Sequence, residues 1–106
     1  MFQPDPNNST ENKKRINLIL SLMYGLIGEV SPKLRAAAVE EQDNVIILFF
    51  YFDGEISEED AESAQCVGTE VIADFPEHKI DVHLERIDYP DLIPNIGELV
   101  YKRREP

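Results

Sequence analysis

With 106 residues the chain has room for one domain and one core, and a domain of that size buries roughly two-thirds of its unfolded surface without a metal or disulfide staple. An apolar fraction of 42% and a charged fraction of 29% argue against wholesale disorder, and the single cysteine, Cys66, excludes an internal disulfide. Ten Lys/Arg against 21 Asp/Glu leave a net charge of −11, a field that repels nucleic acid and anionic membranes and attracts basic proteins.

Met1 to Asn8 reads as a flexible polar arm, and residues 9–106 as one domain. The opening residues have neither the basic start nor the apolar run of a secretion signal, which predicts a cytoplasmic protein. A first helix is expected from about Asn8, which with Glu11 three residues on resembles a capping box, Ser9 and Thr10 being alternative caps. Ile16, Ile19, Leu20, Met23, Ile27 and Val30 recur at helical spacing and predict its buried stripe. Leu18, Leu22 and Leu26 widen the apolar surface, so the helix should be buried on more than one side. Gly28 and Pro32 mark its end.

Leu34 to Glu40 is a candidate strand, and Glu41 to Asn44 a polar turn. Val45 to Phe52 is bulky and apolar at every position, which suits a central strand covered on both faces. Asp53-Gly54 breaks the run, and Ser57-x-x-Asp60 starts a second helix. Ala61, Ala64, Gly68, Val71, Ile72 and Phe75 form its buried stripe, with small residues early to let it lie close to a sheet, and Pro76 ends it. Lys79 to Ile87 alternates: Ile80, Val82 and Leu84 face one way, Asp81, His83 and Glu85 the other. A loop with Pro90 and Pro94 leads to a last strand near Gly97 to Arg104. The expected fold is α+β: two helices packed on a four-stranded, mostly antiparallel sheet, order α-β-β-α-β-β, with the helical crossover permitting one parallel pair.

The charge is concentrated. Between Glu40 and Asp81 thirteen acids face one base, Lys79, so that stretch alone carries −12. Carboxylates in the first turn of the second helix are favoured by its dipole, which accounts for Glu58, Glu59 and Asp60 without a partner. It does not account for Glu40, Glu41, Asp43, Glu70, Asp74, Glu77 or Asp81, and that excess invites a binding role. Lys13-Lys14-Arg15 and Lys102-Arg103-Arg104 are short basic groups without interleaved aromatics, better read as surface partners of the acids than as a nucleic-acid site.

Little catalytic chemistry is visible. Cys66 lies mid-helix with no signature of a nucleophile around it, and reads as a buried or half-buried inert thiol. His78 and His83 are the only histidines and should point apart. Asp53-Gly54-Glu55 lacks the alternating ligands and central glycine of a calcium loop. Glycine-rich phosphate cradles are absent. The expectation is a non-enzyme with no cofactor and no metal.

Phe50-Tyr51-Phe52-Asp53-Gly54-Glu55-Ile56-Ser57-Glu58-Glu59-Asp60-Ala61-Glu62 and Thr69 to Pro76, with Arg86-Ile87-Asp88-Tyr89-Pro90 and Gly97 to Arg104, resemble bacterial immunity proteins of contact-dependent growth inhibition systems. The resemblance spans roughly residues 10–105 and rests on overall texture rather than a catalytic signature. It implies a cytoplasmic protein that binds the cognate toxin domain, commonly a nuclease with a basic groove and frequently a tRNase. Expected contacts are Asp53, Glu55, Glu58, Glu59 and Glu62 on one turn and helix start, and Asp81, His83 and Glu85 on the polar face of the third strand. Tyr51, Tyr89 and Tyr101 are candidate anchors, Tyr51 being the best suited to the core. A second reading of the same acids is an adaptor or nucleic-acid mimic, whose carboxylates would be spaced as phosphates are.

Overall fold

A computed structural model describes residues 6–106, with side chains from residue 10 onward. The elements are α1 (Pro6–Gly25), β1 (Leu34–Gln42), β2 (Val45–Phe52), α2 (Glu58–Ala73), β3 (Lys79–Arg86) and β4 (Glu98–Lys102). Two helices and a four-stranded, mostly antiparallel sheet thus follow one another in the expected order α-β-β-α-β-β. Of the arm expected over residues 1–8, residues 1–5 lie outside the described residues, and residues 6–8 already belong to α1. Proline is at home in a first helical turn, where its missing N–H has no intrahelical acceptor to lose.

The strand order is β3-β2-β1-β4. β1 pairs antiparallel with β2 and with β4, whereas β2 and β3 are parallel, joined by α2. Asp43 and Asn44 both have positive φ, 52° and 63°, which makes the β1–β2 connection a two-residue turn suited to the strands' twist. Both helices lie on one face of the sheet. Ala37, Val39, Ile46, Leu48, Phe50 and Phe52 meet Leu18, Leu22, Ala64, Val67 and Val71 there in the core.

α1 buries a different stripe from the one its periodicity suggests. Leu18, Ser21, Leu22, Gly25 and Leu26 face the protein, whereas Ile16, Leu20, Met23, Tyr24, Ile27 and Val30 are 41–74% exposed; of the expected stripe only Ile19 is half-buried in the core. The reason is approach distance. A Cβ at Gly25 would sit 3.1 Å from Val67 Cγ1, so the small Ser21/Gly25 side is the one that fits against α2, and Ser21 Oγ donates to Asp74 Oδ2 at 2.7 Å. Cys66, expected to be at least half-buried, is exposed on α2.

Chain direction decides what covers the sheet's other face. β4 runs parallel to β3 but lies three places away, at the opposite edge. Residues 87–97 must therefore return the length of the sheet while crossing two strands. Right-handed crossovers moving in opposite directions lie on opposite faces. With α2 on one face, the 87–97 segment straps the other. Burial agrees: Ala36, Ala38 and Tyr51, which point away from the helices, are 0–2% exposed. Ile93 to Ile96 lie beside Leu99 and Lys102 of β4. Gly97, at φ +68, ends the strap so close to β1 that a Cβ would be 2.7 Å from the Val39 carbonyl oxygen, so only glycine fits. Among the described residues no helix is long and apolar enough to cross a membrane.

Small residues on α2 act as expected. A Cβ at Gly68 would stand 2.8 Å from Val82 Cγ2, a stiff β-branched side chain on β3. Gly68→Ala should therefore lower stability by about 1 kcal/mol, the overpacking cost exceeding the helix-propensity gain of about 0.8–1 kcal/mol. In a Val82→Ala background the same change should become stabilising. Urea unfolding of the four proteins of this cycle reads the sign directly.

Candidate functional site

At the carboxyl ends of β2 and β3 the chain gathers many of its acids and most of its arginines. Arg35 is the bulged residue of β1, between Leu34 and Ala36, and only 3% of it is exposed. Its guanidinium forks onto Glu105, Nε to Oε2 at 2.7 Å and Nη2 to Oε1 at 3.0 Å, while Nη1 donates to the Ile87 carbonyl at 2.7 Å. It also lies 5.7 Å from the centre of the Tyr89 ring. Arg103 is used as fully: Nε donates to Glu105, Nη1 to the Pro32 carbonyl and Nη2 to Asp53 at 2.6 Å. Together these bonds tie β1, the start of the strap and the chain's last residues into one clamp. Arg103 therefore serves the fold.

Asp53 belongs to that clamp. It accepts from Arg103 and from the Tyr89 backbone N–H, and those two bonds hold its carboxyl below the usual range. Asp88 is held below its ordinary range by Arg86, then by the Gly54 N–H. Tyr89 donates its hydroxyl to the Pro106 carbonyl, so it is a structural tyrosine of the strap. Tyr101 is half-buried against the core, and Tyr51 is 1% exposed under the strap. Burial, with the Glu85 charge added, raises the Tyr51 phenol above its ordinary value.

The eight expected contact residues fall into three groups. Asp81, His83 and Glu85 stand on the face of β3 that points away from the helices, as their alternation predicts. His83 bonds Asp81 at 2.9 Å and stacks 5.5 Å from Phe49, which in turn stacks on Tyr51 at 6.4 Å. Asp53 and Glu55 lie on the turn after β2. Glu58, Glu59 and Glu62 project from the first two turns of α2, whose cap Ser57 accepts from the Asp60 N–H at 3.1 Å. Glu85 and the Asp53–Glu62 segment share one end of the molecule, because Glu85 pairs with Tyr51 and Arg86 with Phe52 in the parallel ladder. Asp81 and His83 sit further down the sheet.

Ion pairing separates these acids. Asp53 is committed to an ion pair with Arg103, whereas Asp81 shares a hydrogen bond with the His83 ring. Among the described residues the carboxylates of Glu55, Glu58, Glu59, Glu62 and Glu85 make no ion pair, and Lys33 Nζ reaches Glu55 only at its main-chain carbonyl, at 3.3 Å. Phe49 is the contact candidate that residue types did not single out. It is half-buried between Tyr51 and His83, and the alternation of β2 against β3 was the signal that placed it there. His78, by contrast, turns to Glu41, which also holds Lys14 at 2.6 Å. No group of three or more His, Cys, Asp or Glu that could hold a metal occurs among the described residues.

A small α+β domain with a strapped sheet and an end rich in uncompensated carboxylates has the build of a macromolecule-binding module. The model of the MafI2 immunity protein family matches residues 15–105, and the chain belongs to that family. It is thus an immunity protein of a toxin system, the broad class that the sequence resemblance implies, and the family points to an inhibitor rather than a catalyst. No curated protein matches the chain.

The clamp makes stability depend on pH. Arg35 hydrogen bonds, with Arg103 adding to them against the opposing effect of burial, depress Glu105 to about 2 from its ordinary 4.5. A depressed acid contributes stability that is complete above its unfolded pKa and is lost as pH falls through the folded one. Stability should therefore decline between about pH 4.5 and about pH 2. In Glu105→Gln, denaturant titrations across that range should show a shallower slope and a lower plateau at pH 7.

Proposed function

We propose that this chain neutralises its toxin by laying the acidic end of the domain over a basic substrate groove of the toxin domain. The observation that carries this reading is the group Glu55, Glu58, Glu59, Glu62 and Glu85, five carboxylates at one end that make no ion pair among the described residues, beside arginines already committed to the fold. The partner is a basic nuclease domain, with a tRNase as the favoured kind, delivered by a contact-dependent system. Neutralisation takes place in the cytoplasm, and the immunity protein performs no reaction of its own. Support comes from the −12 stretch between Glu40 and Asp81, from the family, and from the sequence resemblance.

Mechanically, the free carboxylates would steer encounter, since complementary fields raise association toward about 10⁸–10⁹ M⁻¹s⁻¹ at low salt. Phe49 and His83 would supply a less hydrated centre beside them, where contacts prolong the complex. Asp53 would act indirectly, by holding the turn that presents Glu55.

Reversing Glu55, Glu58 and Glu59 to lysine should slow association with the cognate toxin domain by at least about 10-fold at low salt, flatten its salt dependence, and abolish protection in cells. Reversing Glu40 and Asp43, at the hairpin end, should leave neutralisation near wild type. Stopped-flow association and a co-expression survival assay read both. Full protection by the triple reversal, with its fold intact by circular dichroism, would defeat the proposal. Competition with several unrelated DNA-binding proteins would favour a nucleic-acid mimic instead.

A further inference from the structure

The sheet has two edge strands, and the fold guards only one of them. β4 is five residues long, and its pairing with β1 is broken by a register shift between Ala37 and Ala38; shortness and irregularity both blunt an edge against further pairing. β3 is eight residues long, holds no proline and pairs with β2 in unbroken register. Its main-chain groups divide by parity. The Lys79 N–H donates to the Asn44 carbonyl at 3.0 Å and the Ile87 N–H to the Phe52 carbonyl at 2.9 Å, so the odd-numbered residues turn their N–H and C=O groups toward β2. Those of Ile80, Val82 and Leu84 therefore point out of the sheet, along an edge that no other strand of the described residues covers. The side chains of the same three residues face the helices and are only half-buried.

We propose that this edge is a homodimer interface, β3 pairing antiparallel with β3 of a second copy about a two-fold axis at Val82. Charge selects both the occupant and the register. On the face away from the helices β3 reads Lys79, Asp81, His83, Glu85. Reversed about Val82, it sets Lys79 opposite Glu85 of the second copy and Asp81 opposite His83, each pair occurring twice. An axis at Asp81 would set that acid opposite itself, and an axis at His83 would set Asp81 opposite Glu85; like charges directly opposite are unfavourable. Asp81 and His83 already bond within the strand at 2.9 Å, and they can exchange partners across the axis with neither losing one. On the helix side Val82 meets itself and Ile80 meets Leu84, which closes the apolar surface left half-open there, and the outward main-chain groups of these residues bond one another. An extended segment of unrelated sequence could use the main-chain groups alone, whereas a second copy carries the complementary charge order by symmetry. The carboxyl ends of the two β3 strands then lie at opposite ends of one continuous sheet, so each acidic end stays open. Only Glu85 is drawn from the group assigned to the toxin, and the dimer does not rest on that assignment.

Sedimentation equilibrium of the full chain should give twice the 12.1 kDa monomer mass at about 100 µM. Lys79→Glu should weaken self-association at least about 10-fold, and Lys79→Glu/Glu85→Lys should restore it, both keeping the wild-type circular dichroism because the two side chains are exposed. In a Cys66→Ser background, Lys79→Cys/Glu85→Cys should form disulfides between copies on oxidation, since opposite Cα atoms of a non-hydrogen-bonded pair stand about 4.5 Å apart. Within one chain the same two positions are about 20 Å apart, so an intrachain bridge cannot form, and Lys79→Cys alone should not cross-link. The cross-link decides the matter alone if a charge variant fails to fold. None of these readings uses the toxin, so they stand or fall separately from the groove-covering proposal. A monomeric wild type at about 100 µM, self-association unchanged by Lys79→Glu or not recovered by the charge swap, or absence of the disulfide dimer would each overturn the proposal. So would Ile80, Val82 and Leu84 amides that gain protection from hydrogen exchange only when the cognate toxin domain is added, because the edge would then be the toxin's contact.

Discussion

A guanidinium with 3% of its surface exposed must find its partners within the protein, and Arg35 finds them in two distant parts of the chain: Glu105 near the end, and the strap, through the Ile87 carbonyl at its start and the Tyr89 ring within it. The bulge in β1 that exposes Arg35 to the strap side is a small irregularity with large consequences. Without a buried cation there, the return of the chain across the second face of the sheet would rest on a few half-buried apolar contacts. With it, the strap, the turn after β2 and the last residues are fixed relative to one another. Glu55 and Glu85 are consequently presented on a rigid frame, at the end where β2 and β3 finish together.

The acids of this protein divide by what surrounds them. Glu105, Asp53 and Asp88 are fastened to arginines and depressed by them, and they hold the clamp together. Glu41 and Glu98 anchor α1 to the sheet through Lys14 and Arg15. Both short basic runs are thereby partly spent on internal pairing, as their composition predicts, and the net negative charge comes to rest on side chains that have no structural duty. This division, rather than the total of −11, is what gives the field a direction.

Much of the architecture was legible in the sequence because it depends on local patterns. β2 is apolar throughout, β3 alternates, α2 has its cap at Ser57 and its small residues at Ala64 and Gly68, and each takes the place its pattern implies. The inner stripe of α1 was not legible by apolar periodicity, because two apolar stripes compete there and hydrophobicity alone cannot rank them. The discriminating signal was small size: Ser21 and Gly25 mark the side on which another helix comes close. For the site, the alternation of β3 correctly placed Asp81, His83 and Glu85 on one face, and the local run from Asp53 to Glu62 on one turn and helix start. Asp53's commitment to Arg103 depends on a residue 50 positions away, and no short-range pattern records such a pairing.

Concentrating like charges at one end of a small domain costs stability through self-repulsion, and the fold offsets that cost where it is greatest. Glu58, Glu59 and the buried Asp60 occupy the first turn of α2, where the positive end of the helix dipole favours the exposed Glu58 and Glu59 by about 0.3–1 kcal/mol each. Ser57 caps the same turn by accepting from the Asp60 N–H, so that donor of the helix end is satisfied by a hydroxyl rather than by one of the exposed carboxylates. The result is a negative surface that needs no cation of its own to persist. A carboxylate already ion-paired must break that pair before it can meet a partner, whereas these have little to lose beyond hydration. The helix start is thus well suited to the fast capture of a positively charged surface, and the clamp behind it keeps that surface in place without competing for the charge.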